Sequence, residues 1–323
     1  MSGSELPRRT LGRSQVEATV LGVGGHIGLL LDDDDPARRR DEAIRLVQRA
    51  IALGVRYFDT SPGYGACESE EHLGAALATL DAETRASLTL STKVGSHPDR
   101  LYQFGADDVR WCYENSRRLL GPIDILLVHD PQSDEHMETI MGPGGALEVL
   151  ESLRDTGEVR AIGLGNRSHS RQRTFIESGR ADIMLPSYDY HPIRQSLGPL
   201  FDRAVGAGVG IINGSPYQAG LLAGIDLDDA ATVERFGDSP DLERARQIYR
   251  WSTERGVEVG ALAVQWSIRD SRIGATLVGP RTVAELEANV RHATAEVPEE
   301  IWPEIAAFID QLEPPPESGG EAF

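Results

Sequence analysis

Eight times along this chain a short apolar run gives way to a stretch of helical period, and that alternation constrains the fold more than any single motif. The runs are VLGVGG (20–25), VRYFD (55–59), LTLSTKV (88–94), IDILLVHD (123–130), VRAIGLG (159–165), DIMLPS (182–187), VGIIN (209–213) and ATLVG (275–279). They are apolar on both faces, as strands of a parallel sheet covered by helices must be. Helical stretches are expected over 41–53, 68–80, 107–120, 146–157, 169–178, 196–207, 241–255, 260–269 and 282–293, with an extra one over 299–312. Ser69, followed by acidic residues, reads as the N-cap of the second. Residues 8–21 form a hairpin around Gly12-Arg13-Ser14. Eight strand-plus-helix units predict an α/β fold, a closed (β/α)8 TIM barrel with an N-terminal β-hairpin and an extra C-terminal helix. The competing open, doubly wound sheet lacks support, because no G-x-G-x-x-G opens a helix after the first strand. Residues 1–313 are read as one domain and 314–323 as a flexible tail. The stretch 214–240, irregular and next to the seventh strand, is a candidate lid.

Three of these strands end on ionisable side chains. Asp59 closes VRYFD, Lys93 lies in LTLSTKV and His129 in IDILLVHD; Tyr64 follows in a loop turned by Pro62, Gly63 and Gly65. Strand ends and their following loops converge on one mouth of a parallel barrel, so acid, phenol, amine and imidazole are expected together. A phenol loses its proton near pH 10, too high for exchange at neutral pH. The Lys93 ammonium beside it is expected to lower that value, and Asp59 to keep Lys93 protonated. His129 is placed to donate a hydrogen bond to a carbonyl oxygen. The set contains neither a metal-ligand pattern nor an activated nucleophile, which points to proton transfer coupled to hydride chemistry at a carbonyl, with the hydride partner supplied as a cofactor.

The remaining composition narrows the partners. The chain of 323 residues carries 32 basic and 51 acidic residues, a formal net charge of -19. Such a surface repels nucleic acid and anionic membranes. No apolar run reaches membrane-span length and the N-terminus has no secretory pattern, so a cytoplasmic location is expected. The two cysteines, Cys67 and Cys112, lie outside metal spacings, and no metal is expected at the consecutive acids 32–35 either. Oligomeric state is not legible.

In order and spacing, LGVGG, FDTSPGYG, SEEHLGAAL, STKVG, LLVHDP, VRAIGLGN, GLLAG and VGPRTVAELEANV resemble the aldo-keto reductase family over nearly the whole chain. STKVG, VHDP and NGSPYQAGLLAG look most like its sugar branch, with the aldose (L-fucose/D-threo-aldose) 1-dehydrogenases and pyridoxal 4-dehydrogenase. The resemblance implies a nicotinamide cofactor, NAD or NADP, and a catalytic tetrad matching Asp59, Tyr64, Lys93 and His129. It implies that Asn166 holds the nicotinamide amide, with Ser187 where a glutamine usually stands. Ser215 matches a pyrophosphate contact, and Gly214 replaces the aromatic that covers the nicotinamide ring, a role open to Tyr217. Gly25 lines the nicotinamide end; His26 beside it faces substrate or solvent. Gly279, Arg281, Glu285 and Asn289 match the adenosine end, where Glu285 in place of a second arginine favours NAD over NADP. The implied function is NAD(P)-dependent hydride transfer at a sugar hemiacetal or small aldehyde or alcohol, with Tyr64 as general acid/base. The alternatives are an NADPH-dependent general aldehyde or ketone reductase and a cofactor-binding regulatory subunit.

Overall fold

A computed structural model of the protein describes residues 6–28, 35–237 and 239–315. Two antiparallel strands, β1 (Arg8–Thr10) and β2 (Glu17–Thr19), flank a tight turn at Gly12–Ser14 and form the expected hairpin. Eight parallel strands follow: β3 (Leu21–Val23), β4 (Tyr57–Asp59), β5 (Thr89–Val94), β6 (Ile125–His129), β7 (Ala161–Gly165), β8 (Ile183–Leu185), β9 (Gly210–Gly214) and β10 (Ile273–Val278). Each pairs with the next and β10 pairs with β3, which closes the barrel. The helices are α1 (Pro36–Ala52), α2 (Glu68–Leu77), α3 (Ala82–Ala86), α4 (Ala106–Leu120), α5 (Asp134–Met141), α6 (Ala146–Asp155), α7 (His169–Glu177), α8 (Gly198–Gly206), α9 (Ala230–Phe236), α10 (Pro240–Glu254), α11 (Val259–Arg269), α12 (Val283–Thr294) and α13 (Ile301–Ile309). None of the described helices is long and apolar enough to cross a membrane.

Side chains alternate across each strand with a period of two, so one set fills the barrel and the other meets the helices. Tyr57, Ile125, Leu127, Ala161, Ile183, Leu185, Ile212, Ala275 and Leu277 pack inside together with Leu11, Val16 and Ala18 of the hairpin. The hairpin turn meets the start of β9, where the Arg13 N–H donates to the Gly208 carbonyl at 2.7 Å. It plugs the N-terminal end and leaves the other end for chemistry. The outward set, including Phe58, Leu90, Val94, Leu126, Val128, Ile162 and Leu164, packs with Leu46, Leu73, Val109 and Leu150 of the helices.

Three local expectations are corrected. The second helix is shorter than the expected 68–80: it stops at Leu77, and a separate short helix, α3, follows behind the Asp81 cap. Ser69 does not cap it. The helix starts after Cys67, which is left-handed (φ 78°), and Ser69 lies inside the first turn. Its hydroxyl donates to the Gly25 carbonyl at 2.9 Å and accepts from the Ile27 N–H at 3.1 Å, tethering the loop after β3. Residues 134–141, outside every helical stretch expected from the sequence, form α5, capped by Ser133. Of the acidic run at 32–35, Asp35 caps α1 through the Ala37 N–H; the other three lie outside the described residues, as does the tail from residue 316.

Candidate active site

The inward parity that fills the barrel also delivers the reactive groups. Register pairs Asp59 with Ser91, Lys93 with Leu127 and His129 with Gly165, so these side chains stack as a polar layer above the apolar interior. Lys93 and Asp59 are both almost fully buried, and the Lys93 Nζ donates to Asp59 Oδ2 at 2.6 Å and to the Thr60 carbonyl at 2.8 Å. Ser91 donates to the other carboxylate oxygen at 2.6 Å, and the Tyr57 hydroxyl meets Ser91 at 2.9 Å. A buried ammonium without such partners would shed its proton. Burial does pull the Lys93 amine down, but Asp59 and Tyr64 outweigh it and the amine stays above its usual value.

Tyr64 closes this layer from the loop after β4. The Lys93 Nζ lies 4.8 Å from its ring centroid, and the His129 ring stands edge-on at 5.4 Å. All four candidate residues therefore meet at one rim. The expected lowering of the phenol is corrected in its net direction: burial raises it, and the opposing pull of Lys93 only partly offsets that. His129 is pushed well below the ordinary imidazole value by burial and by Lys93, so it is neutral at neutral pH. The His26 ring lies against Tyr64 with centroids 4.6 Å apart and the planes tilted by 36°, and His26 is exposed to solvent. Backbone strain gathers here too: Asp130 and Ser215, directly after β6 and β9, and Tyr188 after β8, hold left-handed conformations that non-glycine residues seldom adopt (φ 42°, 58° and 68°).

The other candidates line the rim in strand order. Asn166 follows β7, buried, its amide donating to the Pro131 carbonyl at 3.2 Å and accepting from the Ser168 N–H at 2.7 Å. Ser187, two residues after β8, bridges to Gly214 at the end of β9. A Cβ on Gly214 would come 3.2 Å from the Pro186 carbonyl oxygen and from the Ser187 Cβ, so packing resists an aromatic there. Tyr217 sides with α12: its hydroxyl meets His292 Nδ1 at 2.9 Å. Gly279 lies against the Gly24 carbonyl, and Arg281, Glu285 and the buried Asn289 mark the start and middle of α12.

A sequence model described as "Aldo/keto reductase family" matches residues 28–310. The chain belongs to the aldo/keto reductase family. It is 28% identical to L-galactose dehydrogenase of Arabidopsis thaliana over 90% of this chain and 89% of that protein. It is 27% identical to D-threo-aldose 1-dehydrogenase of a Pseudomonas species over 82% and 87%, and 26% identical to pyridoxal 4-dehydrogenase of Microbacterium luteolum over 91% and 95%. The fold matches the holo form of an aldo-keto reductase from Bacillus halodurans with a TM-score of 0.74, covering 94% of this chain and 96% of that one at 19% identity. As an aldo/keto reductase, the protein is an NAD(P)-dependent oxidoreductase.

The donor set at the rim fits such a cofactor. It offers an amide (Asn166), two hydroxyls (Ser187, Ser215) and a guanidinium at a helix N-terminus (Arg281), in sequence from β7 to β10 around one half of the barrel. The root of the 214–240 stretch is fixed, not loose: Gln218 donates to Asp241 at 2.6 Å, and Arg194 pairs with Asp241 at 2.8 Å in a buried network. Sequence reasoning passed over Ser61, Ser91 and Ser96, the hydrogen-bond partners of Asp59 and His129. Ser61 stands two residues after Asp59, Ser91 two before Lys93 and Ser96 two after the end of β5, and nothing in the sequence ties Ser61 or Ser96 to His129. Cys67 is inert by comparison, its thiol pushed up to about 11 by burial and by neighbouring acids.

Proposed function

We propose that this aldo/keto reductase oxidises a sugar hemiacetal or a small alcohol, and runs the reverse reduction, with Tyr64 exchanging the proton. The observation that carries the reading is the Lys93 ammonium, clamped at 2.6 Å by Asp59 and set 4.8 Å from the Tyr64 ring centroid. The bound nicotinamide accepts or supplies the hydride. In reduction the Tyr64 hydroxyl gives its proton to the oxygen of the former carbonyl, while Lys93 stabilises the phenolate left behind. In oxidation the phenolate takes the hydroxyl proton as the hydride leaves carbon. Asp59 holds Lys93 charged, and neutral His129 donates to the reacting oxygen. The relatives named as aldose and galactose dehydrogenases support the sugar reading.

Asn166 and Ser187 would hold the nicotinamide amide, Ser215 the pyrophosphate and Arg281 the adenosine end of the cofactor, where Glu285 favours NAD by repelling a 2′-phosphate. A second reading, a general aldehyde reductase, draws on Leu101, Tyr102 and Ile225, which expose apolar surface on the loops after β5 and β9, and on Val233 of α9. A panel of aldoses, pyridoxal and hydrophobic aldehydes against both cofactors separates the two. Tyr64→Phe tests the chemistry: kcat falls by about 10³-fold while cofactor affinity persists. Wild-type turnover in that variant would remove Tyr64 from the proton path.

A further inference from the structure

We propose, building on the reading of His129 as donor to the reacting oxygen, that Ser61 and Ser96 are positioning residues that lock His129 in the tautomer protonated on Nε2. His129 Nδ1 lies 2.9 Å from Ser61 Oγ and 2.8 Å from Ser96 Oγ, and the two hydroxyl oxygens are 2.9 Å apart. This triangle is buried, with Ser61 inaccessible and Ser96 nearly so. Among the described residues, each hydroxyl has only the other serine and the imidazole as acceptors. The Gly63 N–H, which can only donate, fills an acceptor position on Ser61 at 3.1 Å.

Counting hydrogens decides between the tautomers. With Nδ1 bare, one serine donates to the other and the second donates to Nδ1, so both hydroxyl hydrogens are used. With Nδ1 protonated, the triangle holds three hydrogens and only two accepting oxygens. One hydroxyl is left without an acceptor, at the full desolvation cost of a buried donor. The opposite edge of the ring agrees. Nε2 lies 3.4 Å from Asp130 Oδ2, where a proton is attracted and a lone pair is repelled. Burial keeps the ring neutral, so the choice is between these two tautomers alone. The serine pair, reached from the loops after β4 and β5, thereby turns Nε2–H toward the mouth.

The test is nitrogen-resolved NMR of the imidazole in the full chain, followed by the double variant S61A/S96A. In the wild type, His129 is expected to show a protonated Nε2 and an accepting Nδ1; a protonated Nδ1 overturns the proposal. In the double variant, the Nδ1-protonated form becomes populated and kcat for reduction falls about 100-fold, the span of one misplaced proton donor. Cofactor binding, read by quenching of protein fluorescence, persists and reports the fold. Ser61→Ala or Ser96→Ala alone leaves one hydroxyl to serve Nδ1, so each single loss is smaller than half the double effect on a logarithmic scale. Equal losses in singles and double overturn the proposal. A tautomer that switches without any loss of kcat upholds the serine pair and instead removes His129 from the proposed reaction.

Discussion

Arg281 and Glu285 grip each other across the first turn of α12. Arg281 Nη2 and Nε lie 2.8 and 2.9 Å from Glu285 Oε1, and the Arg281 backbone N–H donates to Glu285 Oε2 at 2.7 Å. The cation matched to the adenosine end of the cofactor is thus already shared with a carboxylate. A 2′-phosphate arriving here would face that carboxylate, whereas a ribose hydroxyl could donate to it. Both side chains are partly exposed, so the pair itself is worth little for stability, and the proposed NAD reading rests on its charge instead. Glu285→Gln is expected to raise kcat/KM for NADP about tenfold, or about 1.4 kcal/mol, with little change for NAD. Steady-state kinetics with both cofactors checks this. An unaltered ratio would place the pair outside the adenosine contact.

With Tyr64 as the proposed proton carrier, its raised phenol is expected to give the two directions opposite responses to pH. In the protein as it stands the phenol keeps its proton through neutral pH, because burial outweighs Lys93. Reduction needs the protonated form and is therefore expected to be flat through neutrality and to decline at strongly alkaline pH. Oxidation needs the phenolate and is expected to climb over the same alkaline range. The buried imidazole of His129 adds no inflection near its ordinary 6.5, since it is neutral throughout. Lys93→Met removes the opposing charge and moves both limbs to higher pH. Profiles of kcat from about pH 6 to about pH 11 in each direction decide the matter. An oxidation limb already level at neutral pH would contradict it.

The parts legible in the sequence were those in which one residue type carries its own meaning. An ionisable group at the end of an apolar run, as at Asp59 or His129, has few reasons to be there, and the eight runs announced the barrel. The serines did not speak in that way. Ser61 and Ser96 follow strands where serine is common, and what distinguishes them is contact with His129, which lies 68 and 33 residues away in sequence. Ser69 was misleading for a related reason. A serine before acidic residues has the pattern of a cap, yet its hydroxyl ties down Gly25 and Ile27 from the neighbouring unit. For Tyr64 the sequence revealed the charge of Lys93 but not the burial that competes with it. Ionisation balances of this kind depend on packing from several elements at once, which no local pattern encodes.

Glu70 shows the same competition away from the mouth. It projects from α2 into the helix–sheet layer, 1% exposed, and accepts from the Thr92 hydroxyl at 2.6 Å. Burial raises its carboxyl above the ordinary 4.5, against the pull of Thr92 and the more distant Lys93. A carboxyl that binds its proton more tightly when folded favours the folded state fully below its unfolded value. That contribution is lost as pH rises through the folded value. Above that window the native protein must either bury a carboxylate or hold a proton that the unfolded chain would release. Glu70→Gln keeps an acceptor for Thr92 and abolishes the titration. The variant is therefore expected to melt a few degrees above the wild type at pH 8. The gap should narrow as pH falls toward the ordinary carboxylate range, where both chains carry a neutral side chain. Thermal unfolding of both proteins across that range reads the difference directly, and a gain that is constant with pH would show that ionisation of Glu70 is not its source.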